Sequence, residues 1–149
     1  MIEDAKHLVA MSCLLLDEEK FDDYLALFAE GGRYCIRAYS PDLRKDLSLL
    51  DLDRPELATL LTNLRKHVRM PGRFLRLAAP TTSQATGNDS VSVTTTVLVT
   101  HTDLEGISRI FAAGRYLDKV EVKNGKALIK EREVRVETRQ FGPGSHIPL

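Results

Sequence analysis

Five side chains in this sequence could do acid–base chemistry if the fold brought them together: Asp118, Tyr116, His101, Tyr34 and Tyr24. A carboxylate in an apolar pocket has its pKa raised towards neutrality, and a nearby tyrosine hydroxyl can polarise a carbonyl. With Asp118 or His101 as base, that is the chemistry of an isomerase, cyclase or dehydratase. The competing reading of the same residues is structural: tyrosines packed in a core with satisfied hydroxyls, and Asp118 paired with Arg115, Lys119 or a neighbouring strand. Only one carboxylate occupies a pocket-facing strand position, and it sits beside the bulky Tyr116, so the acid–base set is thin.

Other chemistries find less support. His7, His67, His101 and His146 show no HxH, HxxxH or HxxE spacing, so surface or structural roles fit better than metal ligation. There is no GxSxG elbow. Cys13 and Cys35 fall on different elements without CxxC spacing, the pattern of buried free thiols in a reducing compartment. Neither Gly31-Gly32 nor Gly142-Pro143-Gly144 follows a strand and opens a helix, which argues against a phosphate cradle. Lys+Arg and Asp+Glu number 21 each, so no charge excess points to nucleic acid or an anionic membrane. The apolar run Leu8 to Leu16 is interrupted by Ser12 and is too short to span a bilayer; no signal peptide is read there, and a cytoplasmic location is expected.

The elements that must position these residues can be read from periodicity. Ile2, Ala5, Leu8, Val9, Ser12, Leu15 and Leu16 have helical spacing. Asp17 could cap a second helix with Phe21, Tyr24, Leu25 and Phe28 along one stripe, stopped by Gly31-Gly32. Arg33 to Tyr39 alternates as a short strand. Ser40 to Leu52 has no clean period and reads as a charged loop or short helix. Asp53-Arg54-Pro55-Glu56 combines a cap, an early proline and a capping-box glutamate, and Leu57, Leu60, Leu61, Leu64 and Val68 follow as a buried face. Pro71-Gly72 ends that helix.

From Arg73 onward the pattern is β. Phe74 to Thr86 has a kink or bulge near Pro80, Ser90 to Thr102 alternates, and Arg109 to Gln140 forms a long hairpin turning at Asn124-Gly125. Ile110, Ala112, Gly114, Tyr116, Asp118 and Val120 share one face of its first arm. On the second arm Leu128, Lys130, Arg132, Val134 and Val136 oppose Ile129, Glu131, Glu133, Arg135 and Glu137. The expected fold is α+β, residues 1–149 forming one domain: a curved, cone-like antiparallel or mixed sheet wrapped around three helices, with an apolar pocket at its mouth. The alternating charges of the last arm, about 6–7 Å apart on one face, suit a polar subunit interface as well as water.

Two stretches carry a family resemblance. Leu14-Leu15-Leu16-Asp17 leads to Phe21-Asp22, Tyr24-Leu25, Phe28 and Arg33-Tyr34. Ala113-Gly114-Arg115-Tyr116-Leu117-Asp118 leads to the Asn124-Gly125 turn and a Lys/Arg-rich last strand. Together they resemble the small, or beta, subunits of aromatic-ring-hydroxylating dioxygenases, the Rieske non-haem iron oxygenases of aromatic hydrocarbon catabolism. The resemblance implies a cystatin-like cone related to ketosteroid isomerase and scytalone dehydratase, and a non-catalytic subunit that stabilises a catalytic alpha subunit. It implies no cofactor in this chain, with the Rieske iron–sulfur cluster and mononuclear iron in the alpha partner, and beta trimers within a hexamer. Arg115, Glu131, Glu133, Arg135, Glu137 and His146 are then the expected interface residues. On the alternative, stand-alone reading, Asp118, His101, Tyr34 and Tyr116 form the site.

Overall fold

The computed structural model describes residues 1–64, 66, 70–141 and 148–149. Helix α1 (Ile2–Asp17) buries the face read from its spacing, including Ala5, Leu8, Val9, Ser12, Leu15 and Leu16. Helix α2 (Phe21–Leu25) is a single turn and a half, shorter than the stripe from Phe21 to Phe28 suggested. Asp17 does not cap it, since it is the last residue of α1. Phe28 instead opens strand β1 (Phe28–Ser40), and Gly31-Gly32 lie inside that strand rather than ending a helix. Gly31 has φ of 76°, and strand pairing breaks register between Phe28 and Arg33 around it. The glycines make an irregularity in a strand, not a helix stop.

The segment read as a charged loop or short helix contains strand β2 (Lys45–Asp53), antiparallel to β1. Its alternation was masked by Leu49, the residue left over where Leu50 pairs with Ile36 and Ser48 with Arg37. Helix α3 (Arg54–Leu64) begins at the expected capping box. Asp53 Oδ1 accepts from Glu56 N at 2.9 Å, and Glu56 Oε1 accepts from Asp53 N at 3.1 Å. Leu57, Leu61 and Leu64 point inward; Val68 and His67 lie outside the described residues.

Strands β3 (Arg73–Ala85), β4 (Ser90–Thr102), β5 (Ser108–Lys123) and β6 (Lys126–Val136) complete one six-stranded sheet in the order β2-β1-β6-β5-β4-β3. Only the β1–β6 pair among them is parallel, so the sheet is mixed. The bulge expected near Pro80 is present between Pro80 and Thr82. Asn124 and Gly125 both have positive φ, 53° and 74°, as a type I′ turn requires. The three helices pack on one face of this curved sheet, α1 lying across β3 to β6 and α3 against β1 and β2. The α+β cone expected from the sequence is therefore present.

Two further bulges change which residues face the helices. Phe111 is the extra residue where Ala112 pairs with Val99 and Ile110 with Thr100, so Phe111 is buried and Ile110 is 68% exposed. Lys130 is the extra residue between the Val120–Ile129 and Lys119–Glu131 pairs, which sends Ile129 inward and Lys130 outward. Arg132, Val134 and Val136 then occupy the inner face.

Candidate functional site

The inner face of the sheet carries a buried polar cluster. Tyr34 on β1, Arg132 on β6 and Asp118 on β5 are register partners in one cross-strand row. Arg132 and Asp118 have completely buried side chains. The guanidinium donates Nε to Asp118 Oδ1 at 2.8 Å and Nη2 to Oδ2 at 2.9 Å, a parallel two-bond pairing. Its Nη1 donates to Ser12 Oγ on α1 at 2.9 Å, and that hydroxyl donates to the Val9 carbonyl at 2.6 Å. The same guanidinium lies 4.1 Å from the centroid of the Tyr116 ring. Burial works against the Arg132 charge, but Asp118 outweighs it and holds the guanidinium pKa well above its ordinary value.

A second buried pair stands nearer the mouth. Arg76 of β3 donates Nη1 to Asp17 Oδ1 at 2.7 Å, and its backbone N–H reaches Asp17 Oδ2 at 3.2 Å. Its Nη2 donates to the Pro148 carbonyl at 2.7 Å. The next residue, Leu149, is 4% exposed within the core, and its N–H donates to the Tyr34 hydroxyl at 2.8 Å. That hydroxyl in turn faces the Leu149 carbonyl at 3.4 Å. Two residues from the far end of the sequence are thus buried against Arg76 and Tyr34 inside the cone.

These contacts decide what the interior can do. Both Asp118 oxygens are held by Arg132, which leaves the carboxylate as an ion-pair partner rather than a free base. Burial, reinforced by Tyr24 and Tyr116, pushes the Tyr34 phenol well above its ordinary value, and burial does the same to Tyr116. Both remain protonated at neutral pH and can only donate or accept hydrogen bonds. His101 is not part of the cluster: it sits at the sheet rim, bonded through Nε2 to the Pro71 carbonyl at 2.8 Å and packed against Phe74. Of the alternative acid–base set the fold thus brings Asp118, Tyr34 and Tyr116 together, adds Tyr24 from α2 and leaves His101 apart. No three His, Cys, Asp or Glu side chains among the described residues stand together as metal ligands. The two cysteines are buried and unbonded, Cys13 on α1 and Cys35 on β1.

The outer face of the sheet divides in two. Across β2, β1 and β6 the charges pair: Arg33 with Asp51, Arg37 with Glu133, and Arg135 with both Glu133 and Asp46, while Lys119 on β5 holds Glu131. Burial alone would raise the Glu133 carboxyl, but hydrogen bonds from Arg37 and Arg135 hold it below its ordinary value. Arg115, the register partner of Arg135, is exposed and makes no ion pair among the described residues. Glu137 follows the end of β6 and is exposed, its N–H bonded to the Ala113 carbonyl. Across β3 to β5 the face turns apolar, with Leu75, Leu77 and Ile110 each more than 60% exposed. His146, the remaining expected interface residue, lies outside the described residues.

Sequence reasoning missed Arg132, Ser12, Arg76 and Asp17 as a set, and missed Leu149 entirely. The available signal was Arg132 sharing a face with Val134 and Val136, an arginine among valines on an inward-facing strand.

Comparison with known proteins points one way. Residues 12–142 match the family model described as the ring hydroxylating beta subunit. The chain is 30% identical over 97% of its length, and 84% of the relative's, to the beta subunit of the methanesulfonate monooxygenase hydroxylase of Methylosulfonomonas methylovora. It is 31% identical over 91% of its length, and 90% of the relative's, to the beta subunit of 2-aminobenzenesulfonate 2,3-dioxygenase from an Alcaligenes species. Among solved structures, a chain assigned as the beta subunit of an aromatic-ring-hydroxylating dioxygenase from Novosphingobium aromaticivorans superposes with a TM-score of 0.85. That match covers 99% of this chain and 95% of the other at 21% identity, a likeness of fold.

Proposed function

The chain belongs to the ring hydroxylating beta subunit family, and from that membership we propose that it stabilises a catalytic alpha subunit without performing chemistry itself. The observation that carries the second half is the closed interior. Among the described residues, the one buried carboxylate on the inner sheet face, Asp118, makes two hydrogen bonds to Arg132, and the mouth is occupied by Pro148 and Leu149. As part of the same reading, residues 1–149 form a single domain, and three copies join three alpha chains in a cytoplasmic complex. The Rieske cluster and mononuclear iron then belong to the alpha chain and supply oxygen activation there.

The subunit contact is placed on the outer face of the sheet. Arg115 has no ion-pair partner among the described residues, beside Arg135, and Leu75, Leu77 and Ile110 leave apolar area uncovered. Glu131, Glu133, Arg135 and Glu137 rim that surface. Co-expression with ring-hydroxylating alpha subunits from the same genome tests the reading. Co-elution of a brown, iron–sulfur-containing complex is the expected result. A chain that remains alone with every such alpha subunit would overturn it.

A narrower substrate reading is favoured by one observation. The two curated relatives share a sulfonate in their named substrates, and only one of those substrates has an aromatic ring. We propose that the assembled oxygenase acts on an organosulfonate. Oxygen uptake should exceed background with methanesulfonate or an aminobenzenesulfonate; uptake confined to benzoate or naphthalene would reject this.

A further inference from the structure

The interior polar groups are matched to a ligand that the chain itself supplies. Arg76 on the edge strand β3 and Tyr34 on β1 are far from Pro148 and Leu149 in sequence, yet they hold the carbonyl and the N–H of the one peptide group that joins those two residues. Arg76 donates to the Pro148 carbonyl, and the Tyr34 hydroxyl takes the Leu149 N–H while facing the Leu149 carbonyl. The Leu149 side chain joins the hydrophobic core alongside residues of all three helices. A site that reads backbone donors and acceptors in order, and receives one branched aliphatic side chain, is a peptide-binding site.

The described residues leave part of the interior's polar capacity without a partner. The Tyr116 hydroxyl, the Thr95 hydroxyl and Arg76 Nε are buried with no hydrogen-bond partner among the described residues. Tyr116 and Thr95 are register partners on the inner face, and both residues are completely buried. Orphaned buried polar atoms call for water or a ligand. A small cavity of about 110 Å³, lined in part by Leu16, Phe21, Phe74 and Arg76, lies beside Pro148.

We propose that Pro148–Leu149 is a ligand held in cis, and that the cone interior is a binding site for a short peptide segment carrying a branched aliphatic residue. This goes beyond the subunit role and does not rest on it: the site is complete within one chain, and its test needs no alpha subunit. The tethered segment competes at an effective concentration of millimolar order, so a free peptide enters only when the segment is removed or weakened.

The test uses N-acetyl-prolyl-leucine at millimolar concentration against three proteins: the full chain, a chain ending at Ile147, and full-length Leu149→Ala. Binding to the folded state raises the melting temperature as the site fills. The expected result is a saturable rise on the order of a few degrees in both altered proteins and none in the full chain. N-acetyl-prolyl-aspartate should leave all three unchanged, and adding Tyr34→Phe to Leu149→Ala should reduce the response. If the shortened chain does not fold, Leu149→Ala decides alone. No response in the altered proteins, or an equal response in the unaltered chain, overturns the proposal.

Discussion

Replacing Asp118 by Asn tests whether the interior is a structural lock. The substitution keeps the shape of the side chain and removes its charge, leaving the Arg132 guanidinium fully buried with neutral groups beside it: the new amide oxygen, the Ser12 hydroxyl, Tyr24 and the Tyr116 ring. Breaking one side of a buried pair costs about 3–5 kcal/mol, because the remaining charge has been taken out of water without compensation. Against a total stability on the order of 5–15 kcal/mol that is a large share. For a chain of this size it corresponds to a melting drop of roughly 6–20 °C.

The companion is the double variant Asp118→Leu/Arg132→Met, which removes both charges. It should recover to within about 2 kcal/mol of the unaltered chain, since well-packed apolar replacements of buried pairs are often neutral or better. Urea unfolding of the isolated chain, followed by circular dichroism, gives both values and the coupling between the sites. An Asn variant within about 1 kcal/mol of the unaltered chain would refute the reasoning, as would a double variant that simply adds the two losses. In the assembled oxygenase, Asp118→Asn at low temperature should turn over within a few-fold per iron. A loss on the order of 10³ with assembly intact would assign Asp118 to proton transfer.

Gly114→Ala should be costly although Gly114 lies in an ordinary strand, because a Cβ there would collide with the Arg135 carbonyl and stand 2.9 Å from Val136 Cα. A loss of about 1–3 kcal/mol in urea unfolding is expected, and a neutral result would mean the β5–β6 spacing is wrong. Asp53→Ala removes one arm of the capping box and should cost about 1 kcal/mol, with Asp53→Asn keeping most of it. Glu133 has its pKa depressed in the folded state, so its contribution to stability is present above the unfolded value of about 4.3 and is lost as pH falls through the lower folded value. Melting temperature measured from pH 5 to pH 3 should therefore fall less steeply in Glu133→Gln than in the unaltered chain; identical slopes would contradict the pairing with Arg37 and Arg135.

Element types were legible in the sequence wherever periodicity was unbroken, as in α1 and β4, and wherever local chemistry was explicit, as at the Asp53 capping box and the Asn124-Gly125 turn. Phase was not legible beyond a bulge, because one extra residue moves every later side chain to the other face. Leu49 hid strand β2, Phe111 reversed the fates of Phe111 and Ile110, and Lys130 had the largest consequence. Counting back from the turn without it, Asp118 would face Glu131, two like charges. With it, Asp118 faces Arg132, and the central ion pair of the interior exists. No pattern in the strand announces which residue will be left over, so the pair could not be read before the register was known. The contact of Leu149 with Tyr34 was illegible for a different reason: it joins positions 115 residues apart, and nothing local records it.

The bulge at Lys130 also bears on how the interior of this fold is arranged. A proton-transfer site needs a carboxylate that can exchange its proton and a cavity to admit a substrate. Register places Arg132 against Asp118, with both carboxylate oxygens bonded, and Pro148 and Leu149 are buried against Arg76 and Tyr34. The first turns on one residue of strand and the second on two residues near the end of the sequence, and the same bulge also turns Glu131, Glu133 and Arg135 to the outer face. The outer face keeps what an assembly needs: a sheet stiffened by cross-strand ion pairs over one half and uncovered leucine and isoleucine side chains over the other. Building a proton-transfer site there would require both locks to be undone at once. Loss of the tail by itself therefore predicts an empty, peptide-binding cone and not a revived enzyme.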